Sequence, residues 1–499
     1  MRDHTPLVLE DFNGLWAQDD IESTPLDHFS EARNLKFVGP KAFGTRDGIL
    51  RHQTIGAPLS NILRMYNYPT TDKNTLLVLT SGGTIYHVVD AATMYGPILT
   101  IPTMTDFGFA AYNGRAYITP FYTELIAGMN RERGIQNEFL YVYDGTGTAA
   151  RKAAGNKPTV SITPANGAAG FTDAGVHIFG YVYETSSGYL TAPAGLVAFT
   201  TGALLSVSFS TVANSPDAFV TKKHIVASKV IQDYNGDVNG YQLFFIPGAT
   251  IPNNVTTTLA DISFFDQDLL LDATHLLDNF SEVKAGVGLT VYHNRMCIWT
   301  EYDNISLIRV SAIGEPEAFN QITGFCLVPP DGNPITNAAE LRDVLYWFKR
   351  HKTGAFTDNG GDPVSWPLSG VDNAIGCGVH GIATLIDSNA SNVDYLIVGA
   401  YTGLILFNGR YILPELTWKI WKFWLDQTFK TDNRRIQIVN DAKNQLIYIV
   451  TTDRQILYAD YGNGLDPKKI RWCPYTFDAK VNTLALVNIE ELLIGCDQI

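Results

Sequence analysis

Cysteine is scarce in this chain. Its five cysteines, Cys297, Cys326, Cys377, Cys473 and Cys496, all fall in the last two-fifths, and none forms a CxxC pair. An odd, scattered set argues against a disulfide framework and against a zinc knuckle; buried free thiols are expected. Charge is also sparse, at 17% of 499 residues, against about 25% in an average soluble domain. Such a surface is expected to be partly covered by partners. Basic residues are the scarcer sign, leaving a net charge of −14 and a pI near 5.1. A nucleic-acid grip needs basic stripes that displace counterions, so it is not expected, whereas a surface that DNA slides past is compatible.

Long apolar runs are missing as well. No stretch of 18 apolar residues occurs, so no membrane helix is expected. The opening Met-Arg-Asp-His-Thr-Pro is polar, so no secretory signal is expected. The ten histidines never form HxH or HExxH, so no metal site is expected. A GxSxG elbow is lacking, and the carboxylate pairs Asp266/Asp268 and Glu490/Glu491 are neighbours in sequence with nothing to place them across a cleft. Gly145-Thr-Gly147-Thr-Ala-Ala150 imitates a dinucleotide fingerprint, but Pro158 follows too soon for a crossover helix and no acid follows at the required spacing, so a turn is expected. Asp233-Tyr-Asn235-Gly-Asp237-Val-Asn239 alternates oxygen ligands, yet Phe244 stands where a calcium loop needs Glu; a turn is again expected. Neither a cofactor nor an enzyme is expected.

Apolar residues, at 45%, and aromatics, at 12%, are plentiful enough for a packed core. Their arrangement is repetitive. Phe109-Ala-Ala-Tyr112-Asn-Gly-Arg115-Ala-Tyr117-Ile118 matches Leu289-Thr-Val-Tyr292-His-Asn-Arg295-Met-Cys297-Ile298, and Leu406-Phe407-Asn-Gly-Arg410-Tyr-Ile412 is a looser copy. Alternating apolar residues around a two-residue turn spell a β-hairpin. Its recurrence along a long chain predicts a β-propeller. Arg115 and Arg295 are expected to hold turns or blade contacts.

The pattern predicts an all-β fold in four segments. Residues 1–55 form an extended N-terminal arm, with a strand at Leu35–Phe37 and a turn at Gly44–Gly48. Residues 56–155 are the first part of the propeller. Residues 156–275 are an immunoglobulin- or fibronectin-like sandwich, after a linker from Lys157 to Gly170; about seven short strands are expected, including 204–210, 224–230, 241–246 and 256–265. Residues 276–499 resume the propeller, with Leu341–Phe348 read as one strand. The spacing of Trp418, Trp421 and Trp424 suits one helical face. Lys419, Lys422 and Lys430 make it the most basic stretch of the chain. These tryptophans, with Trp16 and Phe29 of the arm, are the candidate interface residues.

Several phrases together resemble a known family. They are Asn13-Gly-Leu-Trp16, the Pro25-Leu-Asp27 run with Ser30, Ala32 and Asn34, and Gly44-Thr-Arg46-Asp-Gly48. Further along come Tyr181-Val-Tyr183-Glu-Thr, Ile313-Gly-Glu-Pro-Glu317-Ala-Phe319, and Gly376-Cys-Gly378 before Gly403–Gly409. The set resembles the tail nozzle and packaged-DNA-stabilisation proteins of short-tailed bacteriophages. The resemblance implies a structural virion protein in the phage tail, made in the bacterial cytoplasm. Its copies would form a ring, typically sixfold, that contacts the connector or other tail proteins, retains packaged DNA and takes part in ejection. An acidic lumen would repel passing phosphates, and the arm would dock on neighbouring subunits. Two rival readings are a carbohydrate-binding receptor protein, with Trp418, Trp421 and Trp424 stacking on sugars, and a propeller glycosidase.

Overall fold

The computed structural model describes residues 33–38, 42–45, 61–70, 73–126, 129–147, 149–153, 157–186, 188–217, 219–254, 256–278, 283–320, 322–387, 393–429, 436–450, 455–487 and 491–497. Trp16, Phe29, Lys430, Glu490 and most of the 1–55 arm lie outside them.

Seven strands line a central channel: Ile62–Pro69, Asp106–Tyr112, Gly288–Tyr292, Ile335–Leu341, Ile382–Asp387, Gln437–Asp441 and Val481–Val487. Consecutive blades touch in ring order, the fourth meeting the fifth where Ile335–Leu341 contacts Val393–Gly399, and the seventh strand lies against the first. From each, further strands pair outward in antiparallel order. Among the described residues the chain therefore builds a propeller of seven blades, most of four strands, the last only Val481–Val487 with Glu491–Cys496. The channel holds about 500 Å³ and is edged by residues such as Tyr66, Phe109, Leu289, Ala338, Ile438 and Leu486.

The repeated phrases are the innermost hairpins of the second and third blades. Tyr112 pairs with Arg115 and Tyr292 with Arg295. Asn113 and Gly114 have φ of 49° and 74°, and His293 and Asn294 have 46° and 58°. Two consecutive left-handed residues are what a type I′ turn requires, and its twist suits a hairpin. The third equivalent turn is one the pattern concealed. Leu341 pairs with Val344 across Arg342-Asp343, with φ of 51° and 63°. Leu341–Phe348 is therefore a strand end, a turn and the next strand, because an Arg-Asp turn between apolar residues lacks the usual Asn-Gly signal. The looser copy at 406–412 is of another kind: Phe407 pairs with Tyr411 around a three-residue loop at the outer edge of the fifth blade.

Between the second and third blades the chain leaves the ring. A three-stranded sheet (Thr163–Ala169, Leu205–Ser210, Leu259–Ile262) faces a four-stranded one (Gly175–Thr185, Ala194–Thr201, Val220–Ala227, Phe244–Pro252). Phe179, Tyr181, Val207, Phe209 and Ile225 fill the space between them. The supposed linker holds a strand, Thr163–Ala169. It is mostly exposed and pairs irregularly with Leu205–Ser210, so its Ala, Asn and Gly content masks an edge strand. The loop containing Asp233–Asn239 joins Val220–Ala227 to Phe244–Pro252, and Asn235 and Asp237 side chains cap its turns.

A buried bidentate ion pair joins the second and third blades beneath the sandwich. Arg151 donates two hydrogen bonds of 2.6 Å to Glu317. Its guanidinium lies over the Phe219 ring of the sandwich, and Tyr189 of the sandwich packs on Ala318. At the far edge of the sixth blade the hairpin Leu35–Val38 with Ala42–Thr45 is anchored by Phe37, stacked on Tyr458 and covered by Arg471. Gly44 and Thr45 belong to that strand rather than to a turn; 46–48 lie outside the described residues.

Candidate functional site

The beginnings of the inner strands meet in a buried polar network. Arg64 donates from Nε and Nη2 to Asp106 at 3.0 and 2.8 Å, and from Nη1 to Gln437 Oε1 at 3.1 Å. That oxygen also accepts from Thr483 Oγ1 and from the Leu484 N–H, both at 2.9 Å, while Gln437 Nε2 donates to the Leu484 carbonyl at 2.8 Å. His380 bridges the other side, with Nε2 3.1 Å from Asp106 and Nδ1 2.9 Å from the Tyr66 hydroxyl. Arg64 is 3% exposed and Asp106 1%. Burial works against the Arg64 charge, but Asp106 more than compensates and holds it raised. The network ties together the first, second, fifth, sixth and seventh blades and crosses one end of the channel.

At the opposite ends of the strands the turns of the third and fourth blades meet. The Tyr292 hydroxyl donates to the Asp343 carbonyl and accepts from the Asp358 N–H, both at 3.0 Å. His293 stacks on Tyr292 with ring centres 4.2 Å apart. Its Nε2 lies 3.6 Å from Asp343 Oδ1 and its Nδ1 3.5 Å from Asp358 Oδ2. One donor atom each from His293, Glu340 and Asp343 falls within 4.8 Å of the others. Burial pushes the Glu340 carboxyl up; His293 opposes this and Asp343 adds to it. Arg295 sits behind, donating from Nη1 to the Ser311 carbonyl at 3.0 Å, with Nε 3.8 Å from Asp358. Its role at that bond is structural, as expected. The sequence carries no metal-ligand motif; in the structure three residues of ligand type converge from two separate turns rather than from one spaced motif. Alignment of Arg342-Asp343 with the repeated hairpin turn was the signal that would have found it.

The tryptophan segment is helical, a 3₁₀ turn Trp418–Ile420 running into the helix Trp421–Phe429. Its three tryptophans do not share a surface. Trp424 is buried and donates from Nε1 to the Ala400 carbonyl at 3.3 Å, Trp421 is half-buried and Trp418 is exposed. Lys419 is buried too, donating to the Ile470 carbonyl at 3.3 Å.

Elsewhere one end of the sandwich is apolar and open. Phe171 and Phe265 have ring centres 4.9 Å apart, and the Gly170 N–H donates to the Leu204 carbonyl, placing Leu204 alongside. Leu204 and Leu270 are 76% and 81% exposed.

No family model and no curated protein matches the chain. Solved structures similar to it include Raptor from Chaetomium thermophilum, at 9% identity over 89% of this chain and 27% of that one, with a TM-score of 0.38. Hsv2 from Kluyveromyces lactis is similar at 11% identity over 84% of this chain and 98% of that one, TM-score 0.30. YCF48 from Cyanidioschyzon merolae is similar at 7% identity over 90% and 96%, TM-score 0.27.

Proposed function

We propose that this chain is a structural ring subunit of a tailed-phage virion, a nozzle or hub through which packaged DNA is retained and then released. The observation that carries the reading is the open apolar tip of Phe171, Leu204, Phe265 and Leu270. It is the kind of surface that a neighbouring copy or a connector protein covers. The buried charges point the same way. Arg64–Asp106 and Arg151–Glu317 both link blade to blade, which is the work of a scaffold. The phrase Ile313–Phe319, one of those that resemble the phage proteins, is also the one that supplies Glu317 and Ala318 to this junction.

Sedimentation and negative-stain imaging of the purified chain, alone and with phage connector rings, test the proposal. A closed ring, or addition to connector rings, is expected, and Leu270→Asp with Leu204→Asp should abolish it while the monomer stays folded. A chain that remains monomeric at every concentration and never joins connectors overturns the reading.

A further inference from the structure

We propose that the paired turns of the third and fourth blades bind one divalent transition-metal ion through His293, Glu340 and Asp343. This inference does not rest on the virion reading.

The donor set is one imidazole and two carboxylates. Imidazole favours zinc and its transition-metal neighbours, whereas calcium and magnesium favour shells built of oxygen. The donor atoms, within 4.8 Å of one another, are close enough for small side-chain rotations to bring them to one ion, since zinc bonds to N and O run to about 2.0–2.2 Å. Glu340 and Asp343 place two carboxylates together, one partly buried, and a cation is what relieves that pairing.

A second observation, outside the donor set, points to the same ligand. Asp358 has a side chain only 10% exposed, and its Oδ2 faces His293 Nδ1 at 3.5 Å. A small closing of this gap would let Asp358 accept the Nδ1 proton and leave the other nitrogen as a lone-pair donor, the arrangement found behind metal-bound histidines. The free nitrogen, Nε2, is the one turned toward Asp343. Tyr292 holds the ring plane by stacking, and its hydroxyl pins the second turn through the Asp343 carbonyl. Behind Asp358 stands Arg295, 9% exposed, whose Nε has no hydrogen-bond partner and faces Asp358 Oδ2. The ion would thus cross-link two blades at their inner turns. Asp343 is exposed, so the remaining coordination positions open to water or to an external donor.

Zinc chloride titrated calorimetrically into metal-stripped full-length protein tests this. One saturable site is expected whose affinity falls by about 100-fold or more in His293→Asn and in Glu340→Gln, and by about 10–100-fold in Asp358→Asn. Asn tolerates the left-handed backbone at 293, and Gln matches Glu in shape, so either variant serves if the other fails to fold. A melting temperature raised by zinc in the parent and not in Glu340→Gln is the second readout. Absence of saturable binding in the parent overturns the site. Affinity unchanged in both His293→Asn and Glu340→Gln does the same, assigning the ion to other histidines or cysteines. Unchanged affinity in Asp358→Asn overturns the role of that carboxylate.

Discussion

Gly108 and Gly288 stand back to back where the second and third blades meet: a Cβ on Gly108 would lie 2.7 Å from the Gly288 Cα and 2.9 Å from the Val287 carbonyl oxygen. The two residues flank the whole inserted sandwich in sequence, yet their strands are neighbours in the ring. The chain departs from the propeller and returns to the adjacent position, and Gly108 cannot carry a side chain without backbone movement there, while on Gly288 a Cβ would meet the Trp299 ring at 2.2 Å.

Gly108→Ala should therefore destabilise the propeller by about 1–3 kcal/mol, the usual cost of overpacking. A lowered midpoint in urea unfolding checks it; an unchanged midpoint would show that the two strands move apart freely.

Arg151→Met alone leaves the buried Glu317 carboxylate without its bidentate partner. Loss of about 3–5 kcal/mol is expected, and the double variant Arg151→Met/Glu317→Leu should recover part of it, since an apolar pair avoids the unpaired charge. Denaturant unfolding of the singles and the double closes the cycle. A double variant no better than the worse single would count against this account.

Acid should weaken the first blade through His87. The ring is buried, with Nδ1 2.7 Å from the Tyr143 hydroxyl and Nε2 2.8 Å from Thr75 Oγ1. Burial first, and the Lys73 charge second, push its pKa from 6.5 down to about 4. The unfolded chain then binds the proton before the folded one does, so stability is complete above pH 6.5 and falls as pH drops toward 4. Unfolding free energy measured across that window should slope less in His87→Gln than in the parent. Parallel slopes would exclude His87 as the source.

The tryptophans should separate by burial. Trp424→Ala removes a core side chain and its hydrogen bond to Ala400, with an expected loss of about 3–5 kcal/mol. Trp418→Ala, at a position 36% exposed, should cost clearly less than Trp424→Ala. Equal losses at the two positions would contradict this placement of the segment.

Much of the fold was legible in the residues. Alternation around Asn113-Gly114 and His293-Asn294 read correctly as hairpins, and their wide separation pointed to one propeller interrupted by an insertion. Two misreadings have a common cause. The Arg342-Asp343 turn and the Thr163–Ala169 edge strand lack the residue signature of what they are, because their backbone is set by neighbouring strands rather than by local preference. The candidate site was less legible still. His293 is separated in sequence from Glu340 and Asp343, and only the ring brings the two turns together.

The sequence by itself determined the class of structure, because alternation of apolar residues and left-handed turn residues are local properties of the chain. It also determined the acidic, thiol-sparse character of the chain. Tertiary structure alone decided the number of blades among the described residues, the pairing of Gly108 with Gly288, the burial of Trp424 and the convergence of His293 with Glu340 and Asp343. Each of these depends on which strand lies beside which once the ring closes, and that closure is a property of packed inner strands far apart in the chain rather than of any single stretch of it.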